Sequence, residues 1–179
     1  YLSTLVGGIK LILGRDWNYE ILIQKEVGLT NAVVGGVKRA KGDIVLVMDA
    51  DGSHSPIYIP QMLEKFGEYD IVIGVKDKDE RSLYRRLVTK GFTFITRVVL
   101  GLKIHDLSGF VLARRDLFDV IKPSDDFKFV LPLLFLHKEA RVFELKIVHP
   151  DRKGGKSKAG VSQAFKILKL IFKLRMGVY

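Results

Sequence analysis

Two carboxylates, Asp49 and Asp51, directly follow the aliphatic run VLVM at residues 45–48. Such a run is typical of a buried strand, so both acids stand at a strand end with one alanine between them. Like charges this close repel each other unless a cation offsets them, and Mg²⁺ and Mn²⁺ prefer carboxylate and phosphate oxygens. The pair therefore predicts a divalent-metal site, although aspartates in loops also serve as turn and cap residues.

The elements that would position these acids are short apolar runs alternating with longer stretches of helical period. This pattern predicts an α/β domain with a mainly parallel sheet, in which ligands bind beyond the carboxyl ends of the strands. The predicted strands are residues 19–23, 44–48, 70–74, 109–113 and 142–148, and the predicted helices are 2–13, 30–40, 57–66, 82–99, 115–121, 130–138 and 161–175. Asp49 and Asp51 would then lie at the ligand-binding edge.

Composition narrows the class of protein. A chain of 179 residues is long enough for one domain with a substantial core. Thirty Lys and Arg against twenty Asp and Glu give a net charge of +10, which favours an anionic partner such as nucleic acid, a phosphorylated substrate or an acidic lipid surface. The absence of cysteine excludes disulfides and thiolate metal sites in this sequence. No apolar run reaches the roughly 18 residues of a membrane-spanning helix.

The segment GLTNAVVGGVKRAKGDIVLVMDADGSHSPIYIPQML, residues 28–63, resembles the centre of a family 2 glycosyltransferase with the nucleotide-sugar-binding GT-A fold, which is α/β and Rossmann-like. Within that family it is similar to the dolichyl-phosphate mannose synthase group, which carries A-x-G-D, an apolar strand and then D-A-D-x-[SQ]-H-x-P. Three further stretches resemble the same group in the same order, at residues 74–101, 105–118 and 142–160. The resemblance implies a catalytic domain over residues 1–160.

The resemblance assigns the donor side of the site. Asp49 and Asp51 would hold Mg²⁺ or Mn²⁺ and the donor diphosphate, with Asp51 essential for catalysis and Ser53 a candidate third metal ligand. Ser53 stands where some relatives carry Gln, and a serine hydroxyl is a poorer ligand. His54 is expected to be a structural hydrogen-bond partner more than a ligand. The last motif would close over the donor diphosphate through Arg152, Ser157 and Lys158.

The same resemblance places Lys76, Arg85 and Thr89 around the phosphate of the acceptor. Lys76 stands where Arg is usual, which keeps the charge but loses the bidentate fork of a guanidinium. Asp106 falls where relatives keep an acid near the transferred sugar. A lipid phosphate is already an anion and needs no general base, so we expect Asp106 to orient a sugar hydroxyl or the acceptor. The alternative is a capping Asp before a Ser-Gly turn.

Relatives also open with a strand ending in P-x-Y-N-E and carry V-D-D-x-S after the second strand, where the acids bind the nucleoside base. Here YEILI, residues 19–23, passes directly to QKEVGLT, so both segments are missing. We expect the complete molecule to supply them.

Residues 161–179 are predicted to form a basic amphipathic helix at a membrane interface. Ser162, Lys166, Lys169 and Lys173 share one stripe, and apolar side chains occupy most of the rest. The alternative is a helix docked on the sheet with one solvent face. We expect the protein at the cytoplasmic face of the cell membrane, held peripherally or by helices beyond Tyr179.

These features predict inverting transfer of a hexose, with mannose the first choice, from GDP-mannose or UDP-glucose to dolichyl or polyprenyl phosphate. The product would serve glycan assembly such as protein glycosylation. One alternative is a family 2 enzyme acting on a hydroxyl acceptor. Another is a basic nucleic-acid-binding module, which is disfavoured because no aromatic residues interleave the basic loop at 149–160. GGKS at 154–157 is no P-loop, since Pro150 stands where that motif requires Gly.

Overall fold

A computed structural model of the chain describes residues 20–77, 83–124, 128–148 and 161–179. In the helix that begins at residue 83, side chains are described from residue 90 onward, and in the helix that begins at residue 161 they are described from residue 165 onward. Five α-helices and four strands are formed within these ranges. The helices are α1 (Leu29–Arg39), α2 (Ile59–Lys65), α3 (Leu83–Leu100), α4 (Val130–Leu136) and α5 (Val161–Arg175). The strands are β1 (Ile44–Val47), β2 (Ile71–Lys76), β3 (Val111–Arg114) and β4 (Val142–Ile147).

The sheet has the strand order β1-β3-β2-β4. β2 and β4 pair in parallel, whereas β3 pairs antiparallel with both β1 and β2. The described sheet is therefore mixed, with two of its three pairings antiparallel, although three of its four strands run in one direction. Their carboxyl ends meet at one edge, and the amino end of β3 lies there too, because Val47 is in register with Val111.

The core lies on both faces of the sheet, since successive residues of β2 point to opposite sides. Ile71 and Ile73 pack in the larger cluster with the buried side chains of α1, α4 and α5. Val72 packs in the smaller cluster with Met62 of α2 and Phe110. The architecture is thus an α/β domain with helices covering both faces, as predicted.

The C-terminal helix α5 is docked on the domain. Leu170, Ile171 and Leu174 are buried in the larger cluster, where α5 packs against α3 and α4. No helix in the described ranges has both the length and the hydropathy to cross a membrane.

Two sequence predictions were wrong in detail. Residues 20–24 form no strand, and Ile21 and Ile23 are 66% and 90% exposed. Within the described residues β1 pairs only with β3, so residues 20–24 have no partner strand. An extended segment without a partner strand is not stable on its own. The helix predicted at 115–121 is a short 3-10 turn, Arg115–Phe118. The helix predicted at 2–13 lies outside the described residues.

Candidate active site

The loop that follows β1 carries the two carboxylates and is fixed by its own hydrogen bonds. The Asp49 amide donates to His54 Nδ1 at 2.8 Å, and the Ser53 amide donates to Asp51 Oδ1 at 3.0 Å. The second contact is a turn in which an Asp side chain accepts the amide two residues on, and Gly52 follows the aspartate with a φ of +84°. Both carboxylates are partly buried, so the loop presents two acids in a defined arrangement.

His54 holds this loop through a hydrogen bond and a ring contact. Its Nδ1 accepts the Asp49 amide, so in the neutral ring the hydrogen lies on Nε2. The ring is buried and stacks on Phe110 with centroids 4.9 Å apart and planes 12° from parallel. His54 therefore has the structural hydrogen bond expected for it.

Asp106 lies in the segment that leads into β3. It is partly buried, and its Oδ1 accepts the amide of the next residue, Leu107, at 2.7 Å. The segment is joined to the carboxylate loop by the ring stack of Phe110 on His54. It is joined to the sheet by the Gly74 amide, which donates to the Phe110 carbonyl at 2.8 Å.

Lys76 is the last residue of β2 and is exposed at the same edge, in register with Ile147 of β4. Arg85 and Thr89 lie in the first half of α3, the helix that follows β2, but their side chains lie outside the described residues. The predicted donor-binding residues Arg152, Ser157 and Lys158 also lie outside. The structure thus brings Asp49, Asp51, Ser53 and Lys76 to one edge of the sheet, and it places the Asp106 backbone beside Glu144 of β4.

The donor set fits a hard divalent cation shared with a substrate. Among the described residues, no group of three His, Cys, Asp or Glu side chains could hold a metal ion. Asp49 and Asp51 remain as two oxygen donors, and Mg²⁺ commonly takes one or two carboxylates and completes its shell with phosphate oxygens and water. Ser53 is buried, and its amide is used in the turn at Asp51. Two carboxylates would leave the rest of the shell of such an ion to water and phosphate oxygens.

One acid at this site was missed by the sequence prediction of site residues. The carboxylate of Glu144, in β4, accepts the amides of His105 and Asp106 at 2.8 and 3.1 Å. The available signal was an acid in the middle of an otherwise mostly apolar strand, but two of its three contacts are with backbone amides, which no side-chain pattern reveals.

The sequence matches the family described as Glycosyl transferase family 2 over residues 9–121, which is more than half of the chain. It is 34% identical over 162 residues to dolichol-phosphate mannosyltransferase of Pyrococcus furiosus, which covers 84% of this chain and 46% of that protein. It is 25% identical over 156 residues to undecaprenyl-phosphate 4-deoxy-4-formamido-L-arabinose transferase of Pseudomonas paraeruginosa, covering 86% and 45%. The chain thus spans about half the length of these curated relatives.

The fold is similar to that of glucosyl-3-phosphoglycerate synthase from Mycobacterium tuberculosis, solved in complex with Mn²⁺ and UDP-glucose. The TM-score is 0.60 at 16% identity, and the superposition covers 87% of this chain and 56% of that one. At this identity the similarity establishes the fold, which is the one that the sequence motifs imply.

Proposed function

Because the chain belongs to glycosyl transferase family 2, we propose that it transfers a hexose, with inversion, from a nucleoside diphosphate sugar to a polyprenyl phosphate. The main support for the proposal is the pair Asp49 and Asp51 at the carboxyl edge of the sheet, in a loop that is fixed by hydrogen bonds. The segment that contains Asp106 and ends at Phe110 packs beside this loop, because the Phe110 ring stacks on His54. The similarity to a dolichol-phosphate mannosyltransferase supports mannose as the sugar and GDP-mannose ahead of UDP-glucose as the donor.

Asp49 and Asp51 would hold Mg²⁺ or Mn²⁺ together with the donor diphosphate, and the ion would offset the charge on the departing nucleoside diphosphate. The chain's own contribution is to fix these carboxylates before substrate arrives. The amide of Ser53 orients Asp51, and His54 orients the backbone at Asp49. Groups fixed in advance do not have to reorganise during the reaction. Arg152, Ser157 and Lys158 would add cations and a hydroxyl to the donor diphosphate.

The acceptor phosphate would be bound by Lys76, with Arg85 and Thr89 from α3. A lipid phosphate is an anion at neutral pH, so it attacks the sugar without a general base. Asp106 then has a different task, which is to orient a sugar hydroxyl or the acceptor. In the alternative reaction, with a hydroxyl acceptor, Asp106 would be the base.

A polyprenyl tail stays in the bilayer, so the active site has to approach a membrane. We place residues 1–160 in the catalytic domain and residues 161–179 at the cytoplasmic membrane interface. Two helices that pack together support this placement. The outer face of α5 exposes Phe165 and Phe172 by 68% and 65%, and the outer face of α3 exposes Phe94 and Val98. Lys169 and Lys173 border the apolar face of α5 and could meet anionic headgroups.

The test is transfer of radiolabelled sugar to dolichyl phosphate by the complete protein, from GDP-mannose and from UDP-glucose, with Mn²⁺ and with EDTA. Metal-dependent label in the lipid fraction from one donor is expected. Metal-dependent donor binding without lipid label would instead move the acceptor to a hydroxyl compound.

A further inference from the structure

The carboxylate of Glu144 binds the Asp106 segment at three points. Oε1 accepts the amides of His105 and Asp106 at 2.8 and 3.1 Å, and Oε2 lies 2.6 Å from His105 Nδ1. The Glu144 side chain is only 17% exposed, whereas that of His105 is 76% exposed, so the contact with the Asp106 amide is the better shielded one. A carboxylate that accepts two successive amides fixes the backbone orientation of both residues.

The Asp106 segment depends on such contacts because it has no regular structure. Residues 101–110 connect α3 to β3 without helix or strand hydrogen bonds of their own. The segment is held by its buried side chains and by contacts from outside: Glu144, the Gly74 amide at Phe110, and Lys128, whose Nζ donates to the Leu107 carbonyl at 2.7 Å. Glu144 is a suitable anchor because it lies in the middle of β4, in register with Ile73 of the central strand β2.

Glu144 and the pair Asp49 and Asp51 belong to opposite ends of the strand order. β4 carries Glu144, and β1, at the other end of the order, leads into the loop of Asp49 and Asp51. Phe110 ends the segment and stacks on His54, while Glu144 holds the middle of the segment at His105 and Asp106. The half of the segment from Asp106 to Phe110 is therefore fixed at both of its ends.

We propose that Glu144 is a positioning residue, which holds the backbone of Asp106 so that its carboxylate meets the transferred sugar or the acceptor. The inference rests on the proposed function for what Asp106 does, but the anchoring itself does not depend on the acceptor. In this role Glu144 would affect the reaction through the backbone of Asp106.

The first test is a double-mutant cycle in kcat for sugar transfer by the complete protein, using Glu144→Ala, Asp106→Ala and the double variant. Glu144→Ala is expected to lower kcat by about tenfold to a hundredfold, because small displacements of positioned groups cost that much. The double variant is expected to lie within about threefold of Asp106→Ala, because Glu144 has nothing left to position. A residue with a merely structural role would instead multiply the two losses.

Two further variants sharpen the cycle. Glu144→Gln keeps an oxygen that accepts both amides and is expected to retain kcat within about threefold. Glu139→Ala removes an exposed acid just before β4 and is the matched control, with unchanged kcat expected. Should Glu144→Ala fail to fold, Glu144→Asp retains the charge, withdraws the oxygens by one methylene and takes its place in the cycle.

The second test needs no catalysis. Hydrogen exchange at the amides of His105 and Asp106 is expected to accelerate in Glu144→Ala, to stay slow in Glu144→Gln and to match the parent in Glu139→Ala. If the parent transfers no sugar to lipid phosphate, the proposed function fails while this readout still decides the anchoring. Unchanged exchange, unchanged kcat in Glu144→Ala, or multiplied losses in the double variant would each overturn the proposal.

Discussion

At the scale of single residues, the site is a set of side chains whose orientation is fixed by backbone amides. Asp51 is oriented by the amide of Ser53, and Glu144 orients the amides of His105 and Asp106. Removing these fixed groups is expected to lower kcat by different factors, because only some of them contact charge that develops during the reaction.

Asp51→Asn is expected to lower kcat for sugar transfer by about a thousandfold or more, because it removes charge where the diphosphate departs. Asp106→Asn is expected to cost about a hundredfold at most, because its task is orientation. Steady-state transfer kinetics at saturating Mn²⁺ compare the two. A loss in Asp106→Asn as large as that in Asp51→Asn would show that Asp106 is a general base and that the acceptor is a hydroxyl.

The sequence could identify Asp49, Asp51 and Asp106 because their side-chain types stand at fixed spacings within motifs. It could not identify the role of Glu144, because the contacts that hold Asp106 and His105 run to backbone amides 38 and 39 residues away in the chain. Backbone groups leave no trace in a pattern of residue types, and only the packing of the segment against β4 brings them within reach.

At the scale of elements, the strand positions after residue 40 were predictable from apolar runs, but the direction of β3 was not. β3 has the same apolar composition as its parallel neighbours, and its reversal depends on where the 101–110 connection returns to the sheet. The strand predicted at 19–23 was wrong for a different reason. A pattern can favour a strand, but a strand forms only beside a partner.

Gly74 of β2 is a position where an element constrains the site. A Cβ there would lie 2.6 Å from Phe110 Cδ1 and 2.9 Å from Ile147 Cδ1, so the Phe110 ring would have to move away from His54. Gly74→Ala is expected to lower the free energy of unfolding by about 1–3 kcal/mol and to lower transfer activity as well.

The matched control is Gly35→Ala in α1, where a Cβ would meet nothing within 4 Å. This change is expected to leave activity unaltered and to raise stability slightly, because alanine is the better helix former. Urea unfolding and transfer assays on both variants make the comparison. A Gly74→Ala protein as stable and active as the parent would contradict the close packing of Phe110.

Asp70 and Arg141 join the starts of β2 and β4, and the Asp70 carboxylate accepts three hydrogen bonds from Arg141. The Arg141 guanidinium, helped by the Arg141 amide, holds the pKa of the Asp70 carboxyl below its usual 3.8. A lowered folded-state pKa stabilises the protein above the unfolded pKa, and the gain is lost as the pH falls through the folded value.

Asp70→Asn is therefore expected to lower the Tm at neutral pH and to have no such effect once the pH is well below 3.8. The decrease should be small because the pair is partly exposed and screened. Thermal unfolding from pH 2 to 7 measures it. A difference in Tm that grows as the pH falls would contradict the assignment.

At the scale of the whole molecule, the distribution of exposed apolar surface bears on where the enzyme works. The sequence predicted an apolar face with a lysine edge for residues 161–179 and left open whether the sheet or a membrane covers it. In the structure one side of α5 is buried against the core, while Phe165 and Phe172 stay exposed on the other. Docking on the domain and contact with a membrane are thus compatible, because they would use different sides of α5.

Replacement of both Phe165 and Phe172 by Ser is expected to weaken binding of this chain to anionic lipid vesicles by about tenfold or more, because two aromatic side chains lose their apolar contact. Leu63→Ser is the control, since Leu63 is 40% exposed on α2, across the sheet from α5. Vesicle cosedimentation measures both. Equal binding by the double variant and the control would move the membrane-facing surface elsewhere.

The proposed acceptor is a phosphate anion that needs no base, and a comparison of a lipid phosphate with the matching alcohol tests this. The complete protein is given labelled GDP-mannose with Mn²⁺ and either a polyprenyl phosphate or the same polyprenol without the phosphate. Label is expected in the lipid fraction with the phosphate only, and it should disappear in Asp51→Asn. Label on the polyprenol at a similar rate would contradict the claim.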